Sequence, residues 1–192
     1  MQVLRICLIF VSFSLFSCSK PHSGPELITF PSGEKVDITS LNTDIGGLSN
    51  TYALMKTPYG NITFRFYTKS APKTSARIMQ LIQNGFYDNL PFHRVIENFL
   101  IQTGDPTQTG KGGSGQKLDP EFNTIQHIKG TIGLARSVDE KSGDSQFYIA
   151  LTTLPHLDGK YTVFAQVVEG IDLLSKIKPG DKIESVRLTL ER

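Results

Sequence analysis

Between residues 52 and 67 apolar and polar positions alternate: Ile62, Phe64 and Phe66 are separated by Thr63 and Arg65. That period of two buries one face of a strand. Pro58-Tyr59-Gly60 is a turn signal, so strands are predicted over 52–57 and 61–67, in a domain that starts near Asn50. The period then changes. Pro72 opens a helix, Thr74, Ile78, Leu81 and Ile82 form its apolar stripe, and Gly85 stops it. Phe92-His93-Arg94-Val95-Ile96 and the run from Phe99 to Asp105 read as two short apolar strands broken at Glu97-Asn98. Strand-forming residues recur over 131–136, 146–151 and 161–167, with a polar hairpin loop at 137–144. Residues 170–177 predict a short second helix with Ile171, Leu174 and Ile177 on one side. Residues 183–191 close the chain as a strand in which Val186, Leu188 and Leu190 alternate. Many short strands with two isolated helices predict an antiparallel barrel or sandwich rather than a wound α/β sheet, and the pattern alone does not choose between them.

Ahead of this domain the pattern is different. Arg5 precedes a mainly apolar run at 6–16, with Ser12 and Ser14 as its polar positions, which is too short to span a bilayer as a helix, since that takes ~20 residues. It has the make-up of a secretion leader covering 1–17. Residues 18–49 form a tether and N-terminal extension. The stretch 19–24 is polar, with Pro21 and Gly24. Beyond it, Leu27-Ile28-Thr29-Phe30 and Val36-Asp37-Ile38 flank Pro31-Ser32-Gly33, which fits a short hairpin packed on the domain or part of an ordered extension.

Composition narrows the function classes. The chain has 192 residues, 39% hydrophobic and 20% charged, with a formal charge of +2, which suits one globular domain with a core at 50–192. Without the leader there remain 19 basic against 18 acidic residues, and no long basic run, so a nucleic-acid partner is not expected. Both cysteines, Cys7 and Cys18, precede the domain, which excludes a disulfide framework or a Cys-based metal site within it. His22, His93, His127 and His156 are scattered without ligand spacing and read as ordinary histidines, so neither metal nor cofactor is expected. The glycine-rich stretch 104–115 invites a phosphate-loop reading and fails it. Five residues, not four, separate Gly104 from Gly110, and Lys111 is followed by Gly112.

The chemistry centres on Arg94. An arginine framed by Phe, Val, Ile and Leu costs several kcal/mol to bury without partners, and the bland alternative is a surface strand whose arginine snorkels to water. The segment from Phe92 to Asp105 resembles the signature of the cyclophilin family of peptidyl-prolyl cis-trans isomerases. A second block, Ser145-Gln146-Phe147-Tyr148-Ile149 through Leu157-Asp158-Gly159-Lys160, is similar to that family in order and spacing. The resemblance implies a mainly β fold: a closed eight-stranded antiparallel β-barrel with two capping helices. It also implies that Arg94 is the catalytic donor and that Phe99, Leu100, Tyr148 and Leu157 form the apolar pocket for a proline ring. Gln102 would orient Arg94 and the substrate carbonyl, while Ala135 and Gln146 would line the groove and bind peptide backbone. Three positions depart from the family. His156 stands where many members carry Trp, Tyr148 replaces a pocket phenylalanine, and Tyr161 replaces a pocket-edge histidine. Loss of the Trp implies weak cyclosporin binding.

Leu15-Phe16-Ser17-Cys18 resembles the lipobox of bacterial lipoproteins, which implies acylation of Cys18 and attachment to membrane at the cell envelope. Ser19 is not the Asp that favours inner-membrane retention, which points to the outer membrane or the periplasmic face. The expected partners are proline-containing polypeptides, and the expected state is a monomer. The expected activity is isomerisation of X-Pro bonds in envelope or secreted clients. Its rivals are a non-catalytic peptide-binding or chaperone lipoprotein that uses the same groove, and a surface adhesin or structural lipoprotein.

Overall fold

The computed structural model describes residues 27–29, 35–37 and 50–190. Strands β1 (Leu27–Thr29) and β2 (Lys35–Asp37) pair antiparallel with Ile28 opposite Val36, the pairing a short hairpin needs. The leader, Cys18 and the tether at 19–24 lie outside the described residues.

Eight further strands make one sheet: β3 (Tyr52–Thr57), β4 (Gly60–Phe66), β5 (Arg94–Ile96), β6 (Leu100–Thr103), β7 (Thr131–Leu134), β8 (Phe147–Ala150), β9 (Val163–Glu169) and β10 (Ser185–Thr189). Their order is β10-β3-β4-β9-β7-β8-β6-β5, and every neighbouring pair is antiparallel. Register follows the alternation. Met55 lies opposite Ile62 and Val186, and Ala53 opposite Phe64 and Leu188, so all six side chains reach the buried face together. Irregularities at Thr63/Phe64 and Ile132/Gly133 add local twist, and the sheet curls into a half-barrel around its apolar face. Phe64, Phe66, Phe92, Phe147 and Phe164 fill it. Each is worth about 1.5–3 kcal/mol on burial, with edge-to-face contacts such as Tyr87–Phe147 at 5.4 Å adding specificity.

One α-helix is present among the described residues, α1 (Pro72–Gln83), and it buries Thr74, Ile78, Met79, Leu81 and Ile82 against the sheet. Gly85 ends it with φ +67°, a conformation that disfavours any Cβ. Its N-terminus lacks a local cap, since Ala71 has no side-chain acceptor. Glu121 supplies one from a distance: Oε1 accepts from Lys73 N at 2.9 Å and Oε2 from Thr74 N at 2.8 Å. Pro72 has no N–H to satisfy, and the unpaired N–H groups of Lys73 and Thr74 are thereby satisfied by a carboxylate, the charge favoured at that end of the helix dipole.

The expected second helix at 170–177 does not form. The chain makes turns there and only a 3₁₀ helix at Leu174–Lys176, held by three-residue bonds such as Leu173 N to Gly170 O at 3.0 Å. Gly170 has φ +74° and Pro179 forces the residue before it out of the α region, which leaves too few residues to offset helix nucleation. Leu174 and Ile177 are still buried, whereas Ile171 is exposed. Between the sheet's two end strands, β5 and β10, no strand ladder runs. The segments preceding them are joined instead by Phe92 N to Asp181 O at 2.8 Å, Gly180 N to Phe92 O at 3.0 Å, Asn89 N to Ile183 O at 2.7 Å and Ile183 N to Leu90 O at 2.9 Å.

Candidate active site

The β5–β6 hairpin turns at Glu97-Asn98, where Asn98 takes φ +56°, a conformation Asn tolerates better than most residues. Its register places Arg94 opposite Gln102 and Val95 opposite Ile101. Val95 turns toward the core and Arg94 toward solvent, so the arginine's charge escapes the burial its neighbours suggest. The next register, β6 to β8, sets Gln102 beside Tyr148. Strand pairing therefore gathers on one face three side chains that the sequence spreads over 55 positions.

A chain of polar contacts fixes that face. Arg94 Nη1 donates to Gln102 Oε1 at 3.2 Å, Gln102 Nε2 donates to Gln146 Oε1 at 2.8 Å, and Gln146 Nε2 donates to the Gly112 carbonyl at 2.8 Å. A guanidinium only donates, so it selects the oxygen end of Gln102, and each amide orients the next. The far end is anchored by the glycine-rich loop, which is held by carboxylates rather than by phosphate. Asp105, fully buried, accepts from Thr107 N at 2.7 Å, Thr107 Oγ1 at 2.8 Å, Gly110 N at 2.6 Å and Gly112 N at 3.2 Å. Burial alone would raise its pKa, but the Thr107 hydroxyl and these N–H groups hold it below the ordinary carboxylate value. Asp144 likewise accepts from Ser114 N and Gly115 N, each at 2.9 Å, and from the Ser114 hydroxyl.

Beside Arg94 opens a cavity of about 210 Å³ lined by Arg94, Phe99, Leu100, Gln102, Ala135, Arg136, Tyr148, Leu157 and Tyr161. Eight of these are residues the sequence singled out. Gln146 and His156 are not among them. Gln146 lines an adjoining cavity of about 300 Å³ that shares Gln102, Ala135 and Arg136. His156 lies exposed on the 3₁₀ turn Pro155–Leu157, with its ring stacked on Phe99 at 5.9 Å and 7°. Tyr148 and Tyr161 meet edge to face at 5.8 Å. Burial first, and Tyr161 second, push the Tyr148 phenol well above its usual range, so it stays protonated.

Sequence reasoning missed three residues here. Arg136 lies over the Tyr161 ring at 4.6 Å and over Phe122 at 5.8 Å, with Nη2 donating to the Lys160 carbonyl at 2.9 Å. Its place next to Ala135 was the available signal. His127 and Asp158 stand behind Tyr148. The Tyr148 hydroxyl and His127 Nε2 are 2.8 Å apart, and His127 Nδ1 lies 2.8 Å from Asp158 Oδ1. The His127 backbone N–H and then its ring hold Asp158 below the ordinary carboxylate range. His127, far from an ordinary surface histidine, is fully buried. His93 is partly buried, and burial lowers its pKa although Asp105 opposes this.

The arrangement brings two permanent cations to a small cavity walled by Phe99, Leu100, Tyr148, Leu157 and Tyr161: Arg136 is engaged over the Tyr161 ring, and Arg94 stands beside Gln102. It suits a reaction that needs a fixed donor, a ring-sized pocket and no proton transfer. Comparison with known proteins agrees. Residues 52–190 match the model of the family described as cyclophilin type peptidyl-prolyl cis-trans isomerase/CLD. A peptidyl-prolyl cis-trans isomerase of Helicobacter pylori is 43% identical over 139 residues, covering 70% of this chain and 85% of that protein. One of Synechococcus elongatus is 40% identical over 143 residues, 73% of this chain and 98% of the relative. The crystal structure of a Cryptosporidium parvum cyclophilin type peptidyl-prolyl cis-trans isomerase superposes with a TM-score of 0.67 at 29% identity, covering 72% of this chain and 97% of that one. A second structure of that protein, obtained in the presence of the dipeptide Ala-Pro, superposes with a TM-score of 0.63 at 28% identity, over 73% and 99% of the two chains. This chain belongs to the cyclophilin type peptidyl-prolyl cis-trans isomerase family.

Proposed function

We propose that the protein accelerates rotation about X-Pro bonds in proline-containing polypeptides, with Arg94 as the catalytic group. The barrier to that rotation is ~18–20 kcal/mol because the amide is partly a double bond, and no covalent bond has to break. Twisting frees the nitrogen lone pair, so a fixed donor aimed at that nitrogen binds the twisted state better than either planar form. Phe99, Leu100, Tyr148, Leu157 and Tyr161 grip the proline ring. Gln102 orients Arg94 and the substrate carbonyl, and Ala135 and Gln146 bind peptide backbone along the adjoining groove. One observation carries this reading: the Arg94 guanidinium stands at the edge of the apolar cavity, tied to Gln102. Turnover of a proline peptide by the purified protein, with and without Arg94, tests it. A binder that only holds peptides would be indifferent to loss of the charge in that assay.

The finer parts of the reading belong to the same proposal. The bonds between 89–92 and 180–183 act as the seam that closes the half-barrel into a barrel. Cys18 is acylated after removal of residues 1–17 and anchors the protein, as a monomer, at a bacterial cell envelope, where its clients are envelope or secreted proteins. Detergent partitioning tests the anchor: the wild type enters the detergent phase and Cys18→Ala does not, while a wholly aqueous wild type refutes it. Cyclosporin binds weakly, because His156 offers less apolar surface at the groove's lip than a Trp.

A further inference from the structure

The two walls of the ring-sized cavity come from different elements. Tyr148 belongs to β8, and Leu157 to the turn that follows Leu154. Nothing in strand pairing fixes the gap between them. His127, from the loop before β7, bonds to Tyr148 and to the residues that flank Leu157. Its carbonyl accepts from Leu154 N at 2.7 Å, its backbone N–H donates to Asp158 Oδ1 at 2.8 Å, and its Nδ1 meets the same oxygen at 2.8 Å. Leu157 is thus held between two anchored residues, with its own N–H bonded to Leu154 O at 3.0 Å. Toward the other wall, Nε2 meets the Tyr148 hydroxyl at 2.8 Å and the two rings stack at 5.9 Å and 15°.

The carboxylate sets the tautomer of the neutral ring. An ionised carboxylate only accepts, so Nδ1 carries the proton facing Asp158; in the neutral ring Nε2 is then bare and accepts from the Tyr148 O–H. Gly133 completes the socket. It pairs directly with Tyr148 across β7 and β8, and a Cβ built there would collide with the phenol oxygen. The hydroxyl is therefore seated between a missing side chain and a histidine whose other contacts all go to the opposing wall.

Resting on the isomerase reading, we infer that His127 is a positioning residue that sets the width of the proline pocket and so its preference for a five-membered ring. It never touches substrate. It acts through Tyr148 on one side and, by way of Asp158, through Leu157 on the other.

The test compares two peptides that differ by one methylene: one carries proline, the other its six-membered homologue pipecolic acid. Dissociation constants and kcat/KM are measured for both with the whole protein. One extra methylene in a well-fitted apolar pocket changes such ratios by roughly 10–200-fold. The wild type is expected to prefer proline within that range. Asp158→Ala, Tyr148→Phe and His127→Ala are each expected to bring the ratio below about threefold, while Asp158→Asn, which keeps the acceptor oxygen, retains it. A simple loss of stability would lower both peptides together and leave the ratio alone. If His127→Ala does not fold, the other three variants decide. Folded Asp158→Ala and Tyr148→Phe proteins that keep the wild-type ratio overturn the inference, as does a wild type with no ring preference. A wild type that binds with ring preference but does not isomerise overturns the catalytic reading, and the binding ratios of the variants then judge His127 independently.

Discussion

Removing Glu121 tests whether the helix is capped from a distance. Glu121→Ala deletes acceptors for Lys73 N and Thr74 N, which lie 48 and 47 residues away in the chain. The Lys73 bond is exposed, so water replaces it at small cost, whereas the Thr74 bond is half-buried. A bond to a charged acceptor at such a site is worth about 1.5–3 kcal/mol when partly shielded, and the lost charge at the helix N-terminus adds about 0.3–1 kcal/mol. Partial exposure puts the total near the low end, about 2 kcal/mol. Glu121→Gln keeps one acceptor and removes the charge, so it should fall about midway. Urea unfolding measures both, and the midpoint should move with the slope unchanged. The Glu121 backbone N–H bonds Thr162 Oγ1 at 2.8 Å and survives both substitutions. Turnover of folded protein should accordingly stay within about twofold, since neither helix end nor carboxylate touches the cavity. An Ala variant as stable as wild type, within about 0.5 kcal/mol, would show that the contact does not cap the helix.

Two more outcomes are expected. Turnover of a peptide without ionisable side chains should be nearly flat between about pH 5.5 and 8.5, because rotation about the amide moves no proton to or from the protein; burial shifts His93, the neighbour of Arg94, toward lower pH, and a tenfold fall within that window that vanishes in His93→Gln would contradict this. Asp105→Asn should destabilise by roughly 2–3 kcal/mol, since its amide nitrogen cannot accept from Gly110 N and Gly112 N. The Asp105 pKa is depressed in the folded protein, so its stabilisation is complete above the free value of ~3.9 and lost as pH falls further. Acid unfolding of the variant should therefore be less steep, and an unchanged acid limb would refute the assignment.

Local pattern carried the elements that bury a continuous face. Ile62, Phe64 and Phe66 marked β4, and Ile78, Leu81 and Ile82 marked α1, because each stripe meets the same core. The same reasoning failed at 170–177, where the apolar spacing is helical but glycine and proline bound too short a span, and only Leu174 and Ile177 reach the core. Arg94 and Gln102 were legible as a pair once the hairpin was placed, since the register puts them side by side. His127 was not. Its partners lie 21 and 31 positions away and come from separate elements, so no spacing along the chain announces them. Arg136 adjoins Ala135 in the chain, but nothing in the spacing shows that its guanidinium covers Tyr161, 25 positions on.

The central claim is that a fixed cation at the cavity's edge lowers the rotational barrier. Arg94 is exposed and its side chain leaves the core untouched, so Arg94→Ala should fold as the wild type does. Loss of one preorganised donor costs about 2.7–4 kcal/mol in the transition state, or roughly 10²–10³ in rate. Exchange between cis and trans forms of a short proline peptide, followed by NMR with each protein at equal concentration, measures this without a coupled enzyme. The account predicts a folded Arg94→Ala protein that still binds the peptide within about tenfold and exchanges it at least a hundredfold more slowly. A folded variant that turns the peptide over at the wild-type rate would contradict it.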